Sequence, residues 1–196
     1  MKFLFTITLL ALIGCAGGKP AAEKSIAEQS IYELSFESPI RHVKSEPRAS
    51  VLPIPMDFDI KLDNIKNNVL FSTFSSRPLL IYFYSHYCQH CHTVYPGIRQ
   101  LVKEYEKNGL AFIAISTGFS SKKDALLFME QHNEYDTAIP FFYDSDNEFG
   151  QIYGDGYVPR LFLVFQDGKV IRYTNAFSEG LKKVKADLDN LFGIEK

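Results

Sequence analysis

The sequence has no strong excess of either charge, since 21 Lys and Arg against 23 Asp and Glu leave a formal net charge of -2 over 196 residues. This balance argues against a nucleic-acid-binding protein, which needs a basic surface to meet the phosphates. Tryptophan is absent, so 17 Phe and 11 Tyr must supply the aromatic part of the core. Internal repeats and low-complexity tracts are also lacking. What remains is the composition of an ordinary globular domain, 46% hydrophobic and 22% charged.

No apolar run reaches the ~20 residues that a membrane-spanning helix needs. The run over residues 3–13 follows Lys2 and has the length of a signal-peptide core. It ends in Leu12-Ile13-Gly14-Cys15, which resembles the bacterial lipobox. That resemblance implies a lipoprotein signal peptide over residues 1–14, and an acylated Cys15 that anchors the protein to the bilayer. The alternative is an ordinary signal peptide cut at a nearby small residue, with Cys15 incidental.

Both alternatives predict an extracytoplasmic protein, where disulfide chemistry is possible. With the lipid anchor, we expect it in the bacterial cell envelope, facing the periplasm or the outer side of the cytoplasmic membrane. Residues 15–55 lack the apolar density of a core element, and Pro53 and Pro55 close the segment. We therefore predict a flexible tether over residues 15–55 and one folded domain over residues 56–196.

Within the domain, stretches typical of strands alternate with stretches typical of helices. Residues 58–62 alternate apolar and polar side chains, as a half-buried strand does. Further strands are predicted at 79–84, 110–116, 139–143, 161–165 and 170–173. Helices are predicted from the entrance at Cys88 to Asn108, from a capping box at Ser121 to about His132, over 147–153, and from a capping Ser178 onward. This order predicts an α/β fold with a mixed central sheet flanked by helices.

Two of the three cysteines, Cys88 and Cys91, stand where a buried strand passes into a helix. The first turn of a helix has unpaired N–H groups and the positive end of the helix dipole, and both favour a thiolate over a thiol. Cys88, at the helix entrance, is therefore predicted to be the attacking thiolate. Cys91, one turn further on, is predicted to be the resolving thiol. This spacing predicts a pair that cycles between dithiol and disulfide.

The segment from Asp57 to Phe192 resembles thioredoxin-like proteins of the TlpA and ResA type. The resemblance rests on Tyr87-Cys88-x-x-Cys91 after a strand, on Pro96, on Val158-Pro159 before a hairpin strand, and on 139–144 through 153–154, which resemble the family's extra strand and helix. It implies a thioredoxin-like fold with extra N-terminal strands and a central strand–helix insertion. It also implies a cis-Pro159 facing the cysteine pair, with Tyr87, Val158 and Pro159 binding an extended client chain.

The resemblance further implies an enzyme that exchanges disulfides with protein thiols. Its clients would be folding secreted proteins or apocytochrome c, and a membrane redox partner would reset the cysteine pair. No organic cofactor and no metal ion is expected, because the cysteine pair itself stores the two electrons.

Three departures from the family pattern bear on the direction of electron flow. Tyr87 stands in place of Trp, Tyr82 in place of the acidic residue that thioredoxin buries, and Val94 in place of a Glu found in some reductive members. These changes weaken a purely reductive assignment. Gln89 and His90, between the cysteines, are expected to tune the redox potential, and a His before the second Cys resembles oxidases and isomerases. The direction stays open.

Two other functions use the same segment. The C-x-x-C-H attachment motif of c-type haem is matched by Cys88-Gln89-His90-Cys91-His92. Met56 or Met129 could then be the second axial ligand of the haem iron. The same residues, together with His86, could bind copper or zinc. A thioredoxin fold serving only as a binding scaffold is a third alternative.

Overall fold

The computed structural model describes residues 49–66, 68–174 and 176–194. Cys15, the predicted signal peptide and most of the predicted tether lie outside the described residues. The strands are β1 (Ala49–Val51), β2 (Asp63–Asn64), β3 (Leu79–Tyr84), β4 (Ala111–Ser116), β5 (Phe141–Tyr143), β6 (Arg160–Val164) and β7 (Val170–Tyr173). The helices are α1 (Gln89–Tyr105), α2 (Lys122–Gln131), α3 (Glu148–Ile152) and α4 (Ser178–Phe192), with short 3-10 turns at Phe71–Phe74 and Glu106–Asn108.

The described strands form one mixed sheet in the order β1-β7-β6-β3-β4-β5-β2. Strands β3, β4 and β5 run parallel, and the other pairs are antiparallel. The sheet confirms the predicted mixed α/β fold, with β1 and β2 as the extra N-terminal strands and β5 with α3 as the insertion. Because β3 is antiparallel to β6, the end of β3 at Phe83 lies beside the start of β6 at Arg160.

Two apolar layers cover the sheet, one on each face. Every residue of β3 is buried, and alternate side chains enter opposite layers. Leu80, Tyr82 and Tyr84 join the layer that holds the buried sides of α1, α2 and α4. Leu79, Ile81 and Phe83 join the aromatic layer around Phe142 and Phe149. A strand buried on both faces explains the continuous apolar run in the sequence.

The predicted strand over residues 58–62 is wrong. That segment forms turns, and the short strand follows it at Asp63–Asn64. The alternating side chains nevertheless serve burial: Ile60 is buried in the aromatic layer, and the ring of Phe58 lies 5.0 Å from that of Phe71. The alternation of apolar and polar residues therefore indicates which side chains face the core. It does not indicate whether the backbone pairs with another strand.

Two predicted boundaries also move. Ala49–Val51 lie in the segment predicted as tether, yet they pair with β7, and the amide of Met56 donates to the carbonyl of Gly168 at 2.9 Å. Ser178 was predicted to cap α4, but it is the first residue of that helix. The N-cap is Phe177, which makes no side-chain capping bond. The capping box at Ser121 and Asp124 is confirmed.

Among the described residues, no helix combines the length and the apolar character needed to cross a membrane.

Candidate active site

Cys88 is the N-cap residue of α1. Its backbone is extended (φ -88°, ψ 102°), and its Sγ accepts a hydrogen bond from the Cys91 amide at 3.2 Å. A sulfur in this position meets the unpaired N–H groups and the positive dipole end of a 17-residue helix. Cys88 is partly exposed, so its sulfur is within reach of another protein.

Cys91 lies one turn further into α1 and has 0% of its surface exposed. Both cysteines carry free thiols. Burial and the hydrogen bond with Cys88 raise the pKa of the Cys91 thiol. The pair therefore consists of one accessible sulfur and one sheltered sulfur.

The Val158–Pro159 peptide bond is cis, as the resemblance implies. The carbonyl oxygen of Val158 lies 3.8 Å from the Cys88 Sγ. Seventy residues separate these two groups in the sequence, and the antiparallel pairing of β3 with β6 brings them together. A backbone segment beside the reactive sulfur can pair with an extended chain that carries the client's sulfur.

Residues 51–189 match the redoxin family. The chain belongs to the redoxin family. A curated relative is the thiol-disulfide oxidoreductase ResA of Bacillus cereus, 28% identical over 174 residues, which cover 87% of this chain and 86% of the relative. Together these matches make this redoxin a thiol–disulfide oxidoreductase of the TlpA/ResA type. Thioredoxin-like redox proteins of this kind use a cysteine pair in place of a cofactor.

Solved structures agree with this redoxin in fold. A secreted disulfide oxidoreductase of Mycobacterium tuberculosis superposes with a TM-score of 0.55 at 15% identity, covering 66% of this chain and 93% of its own. The thioredoxin domain of a thiol-disulfide oxidoreductase from Bacteroides vulgatus gives a TM-score of 0.56 at 19% identity, with 71% and 96% covered. The thioredoxin-like fold is confirmed.

Exposed aromatic side chains surround the Cys88 entrance of this redoxin. Tyr87, Phe119 and Tyr157 are exposed by 72%, 80% and 68%. Phe119 and Tyr157 line an open cavity of about 520 Å³ that also reaches Ser85 and Val158. Exposed aromatic rings beside a cavity are uncommon on a surface that binds nothing. Interaction with Asp124 of the α2 capping box raises the pKa of the Tyr87 hydroxyl.

Gln89 and His90 are both exposed at the start of α1. The His90 ring stands edge-on to Phe177 with the centroids 5.3 Å apart. The Gln89 carbonyl accepts a hydrogen bond from Thr93 Oγ1 at 3.1 Å. Both side chains lie next to the cysteine pair along the chain, and their expected tuning of the potential stays a prediction.

The sequence does not predict a pair of histidines, His92 and His132, that lies beside the cysteines. The Nε2 of His92 donates to the His86 carbonyl at 2.6 Å, and its Nδ1 lies 3.0 Å from Nε2 of His132. Because a carbonyl only accepts, the hydrogen on Nε2 of His92 is fixed and the two imidazoles share the other bond. His132 stands 40 residues away, at the C-cap of α2, so nothing in the sequence spacing links the two rings.

The contacts of the possible metal and haem ligands show what these side chains do in the folded protein. Both ring nitrogens of His92 are engaged, and His90 points instead to Phe177. Met129 and Met56 are buried in the apolar layers on opposite faces of the sheet. Within residues 49–66, 68–174 and 176–194, no group of three or more His, Cys, Asp or Glu side chains could hold a metal ion.

Proposed function

We propose that Cys88 attacks protein disulfides and that Cys91 resolves the resulting mixed disulfide. In the first step the Cys88 thiolate forms a bond to one client sulfur, and the other client sulfur leaves. In the second step Cys91 Sγ bonds to Cys88 Sγ and displaces the first client sulfur. The client gains two electrons and two protons, and the Cys88–Cys91 pair is oxidised. The reverse sequence oxidises a client dithiol.

One observation carries this assignment: the accessible sulfur occupies the N-cap of α1, while its partner is buried one turn behind it. A helix start favours the anionic form of Cys88. Burial of Cys91 protects it from direct attack, so a client has to meet Cys88 first. The opposite assignment would require the client sulfur to enter the core.

Clients are proposed to bind as extended chains along Val158 and Pro159. The Val158 carbonyl lies beside Cys88, so a chain paired with this backbone would bring its own sulfur into line with Cys88 Sγ. The cavity lined by Phe119 and Tyr157 would then take an apolar side chain near the client's cysteine. Tyr87, which precedes Cys88 and is exposed, would contact the same client chain. Unfolded secreted proteins offer such chains. Apocytochrome c is a second proposed client, which rests on the resemblance to the TlpA and ResA type alone.

The protein is proposed to work in the bacterial envelope, held to a membrane by acylated Cys15. The support is the apolar run 3–13 followed by Gly14-Cys15, together with a cysteine pair that needs a compartment outside the reducing cytosol. A membrane redox protein is proposed to reset the Cys88–Cys91 pair after each exchange. The potential of that partner would set the direction of electron flow.

Trapping of a client tests the two roles. We expect the Cys91→Ala protein to accumulate a mixed disulfide with insulin, and the Cys88→Ala protein to form none and to lose insulin reduction with dithiothreitol. Cys15→Ser is the matched control, because it removes the third thiol and leaves both roles intact. Mass spectrometry of acid-quenched reactions identifies the adducts. An active Cys88→Ala protein, or an adduct on Cys91 in that variant, would overturn the assignment.

A further inference from the structure

The segment between α3 and β6, which contains the proposed client-binding residues, has few backbone contacts of its own. Within the described part of the chain, residues 155–158 make no backbone–backbone hydrogen bond. Gly156 lies in the left-handed region at φ +80°, so the chain turns just before Tyr157 and Val158. Side-chain contacts therefore have to hold this segment beside Cys88.

A buried arginine, Arg160 at the start of β6, makes polar contacts at both ends of this segment. Its Nε and Nη2 donate to the two carboxylate oxygens of Asp155 at 2.9 Å and 3.3 Å. Its Nη1 donates to the carbonyl of Pro159 at 3.1 Å and to that of Thr174 at 2.9 Å. The guanidinium carbon also lies 5.4 Å from the centroid of the Tyr157 ring. One guanidinium therefore joins both ends of the segment to the chain that follows β7.

The planar shape of the guanidinium accounts for this arrangement. Arginine has five N–H donors in one plane, so it can bind a carboxylate through two of them and carbonyls through others. With only 9% of Arg160 exposed, its charge needs a paired and hydrogen-bonded environment. Asp155 supplies the opposite charge, and together with Tyr157 and Val158 it lines the cavity of about 520 Å³. The ion pair therefore fixes one wall of that cavity.

We propose that Arg160 is a positioning residue for client binding, which holds residues 155–159 so that the Val158 carbonyl stays beside Cys88. That carbonyl oxygen lies 3.8 Å from the Cys88 Sγ. A segment that is already ordered loses little conformational freedom when it binds an extended chain, and this increases the affinity. The bonds of Arg160 involve neither cysteine, so its effect falls on the binding of chains and not on the sulfur chemistry. The proposal rests on the extended-chain binding proposed above.

Two disulfides of different size separate client binding from the chemistry of Cys88. The first is an unfolded peptide whose single cysteine is disulfide-bonded to 2-mercaptoethanol. The second is 2-hydroxyethyl disulfide, which has the same small thiol group and no peptide chain. Each is mixed with the reduced full-length protein over a range of concentrations, and the loss of reduced protein is measured by mass spectrometry after acid quenching. The measurement gives a maximal rate and a half-saturating concentration for the peptide.

Arg160→Met keeps an unbranched apolar side chain and removes every polar contact of the guanidinium. We expect the half-saturating peptide concentration to rise by ~10-fold, because the client then has to order the segment as it binds. The maximal rate with the peptide and the rate with 2-hydroxyethyl disulfide should stay at the wild-type values. Arg99→Met is the matched control, since the Nε of Arg99 on α1 also donates to a carboxylate, that of Glu134, at 2.8 Å. It should react like the wild type with both disulfides.

Asp155→Asn keeps the test valid if Arg160→Met does not fold, because it leaves the bonds of Arg160 to the Pro159 and Thr174 carbonyls in place. The half-saturating peptide concentration should rise in this variant too, and the rate with 2-hydroxyethyl disulfide should not change. Where both single variants fold, the double variant should lose no more than Arg160→Met, since the two side chains act through one contact. Additive losses would instead show Asp155 binding the client directly and would contradict the proposal.

Several results would overturn the positioning role of Arg160. An unchanged half-saturating peptide concentration in Arg160→Met or in Asp155→Asn would do so. Equal slowing with both disulfides, or the same loss in Arg99→Met, would indicate a general loss of structure and would also overturn it. A wild type that reacts with 2-hydroxyethyl disulfide but does not saturate with the peptide would remove the extended-chain binding, and this proposal with it. A wild type that reacts with neither disulfide would overturn the proposed role of Cys88 itself.

Discussion

Two histidines on the first turn of α1 have different surroundings, and their chemistry differs accordingly. His90 is exposed and meets only the edge of Phe177 in ring contact. His92 is partly buried, donates to the His86 carbonyl, and shares a hydrogen bond with His132. In this bond Nδ1 of His92 accepts from Nε2–H of His132, because the single hydrogen of the neutral His92 ring is on Nε2. A positive charge on His132 would be partly buried beside the second imidazole.

Protonation of His132 should therefore weaken the folded state. Burial and His92 lower the pKa of His132, and the weaker effect of Glu134 opposes them. Between this lowered pKa and the ordinary histidine value of about 6.5, the unfolded chain binds more protons than the folded protein. The free energy of unfolding should fall as the pH is lowered through the ordinary histidine pKa of about 6.5 toward the lowered pKa of His132.

Urea unfolding at several pH values measures this slope. His132→Phe should flatten it, whereas Gln131→Ala, an exposed non-titratable change next to it, should leave it unchanged. A His132→Phe protein that keeps the full slope would assign the pH dependence to other groups.

At the scale of helices and strands, the sequence predicts an element correctly where a single pattern of residues is compatible with only one structure. The continuous apolar run at 79–84 predicted β3, and the cysteines after it placed the start of α1 correctly. The signal failed where two structures satisfy the same pattern: residues 58–62 bury alternate side chains without pairing, and Ser178 has the residue type of a cap without its geometry. The His92–His132 bond joins α1 to the end of α2, and no local pattern encodes such a contact.

The two serines at helix starts give a test at this scale. The Ser121 hydroxyl accepts a hydrogen bond from the Asp124 amide, and the Asp124 carboxylate accepts one from the Ser121 amide. Ser121→Ala should lower the free energy of unfolding by about 1 kcal/mol, the usual cost of losing such a cap. Ser178→Ala should change it by less than ~0.5 kcal/mol, as at other surface sites. Denaturant midpoints at constant slope measure both values. Equal losses would contradict the different capping geometry of α2 and α4.

For the molecule as a whole, sheet topology assembles the active site from distant segments. The β3–α1 junction supplies Cys88 and Cys91, and the segment just before β6 supplies Val158 and cis-Pro159. Sequence patterns predicted each segment, but their meeting followed only from the resemblance to the TlpA and ResA type, since periodicity does not order strands in a sheet. The apolar layers on both faces hold this junction in place while leaving the Cys88 entrance open.

The proposed membrane attachment involves the N-terminal segment, which lies outside the described residues. It rests on Cys15 and its lipid. Two or more acyl chains, each contributing about 0.8 kcal/mol per buried CH₂, give a firm anchor.

Cys15→Ser should therefore move the protein from the membrane fraction to the soluble fraction and abolish labelling with a radioactive fatty acid. Cys88→Ser is the matched control, since it also replaces one thiol but should leave the protein in the membrane fraction. A Cys15→Ser protein that stays in the membrane fraction would contradict the lipid anchor. So would a wild type that is soluble and unlabelled, which would instead favour an ordinary signal peptide and a freely diffusing oxidoreductase.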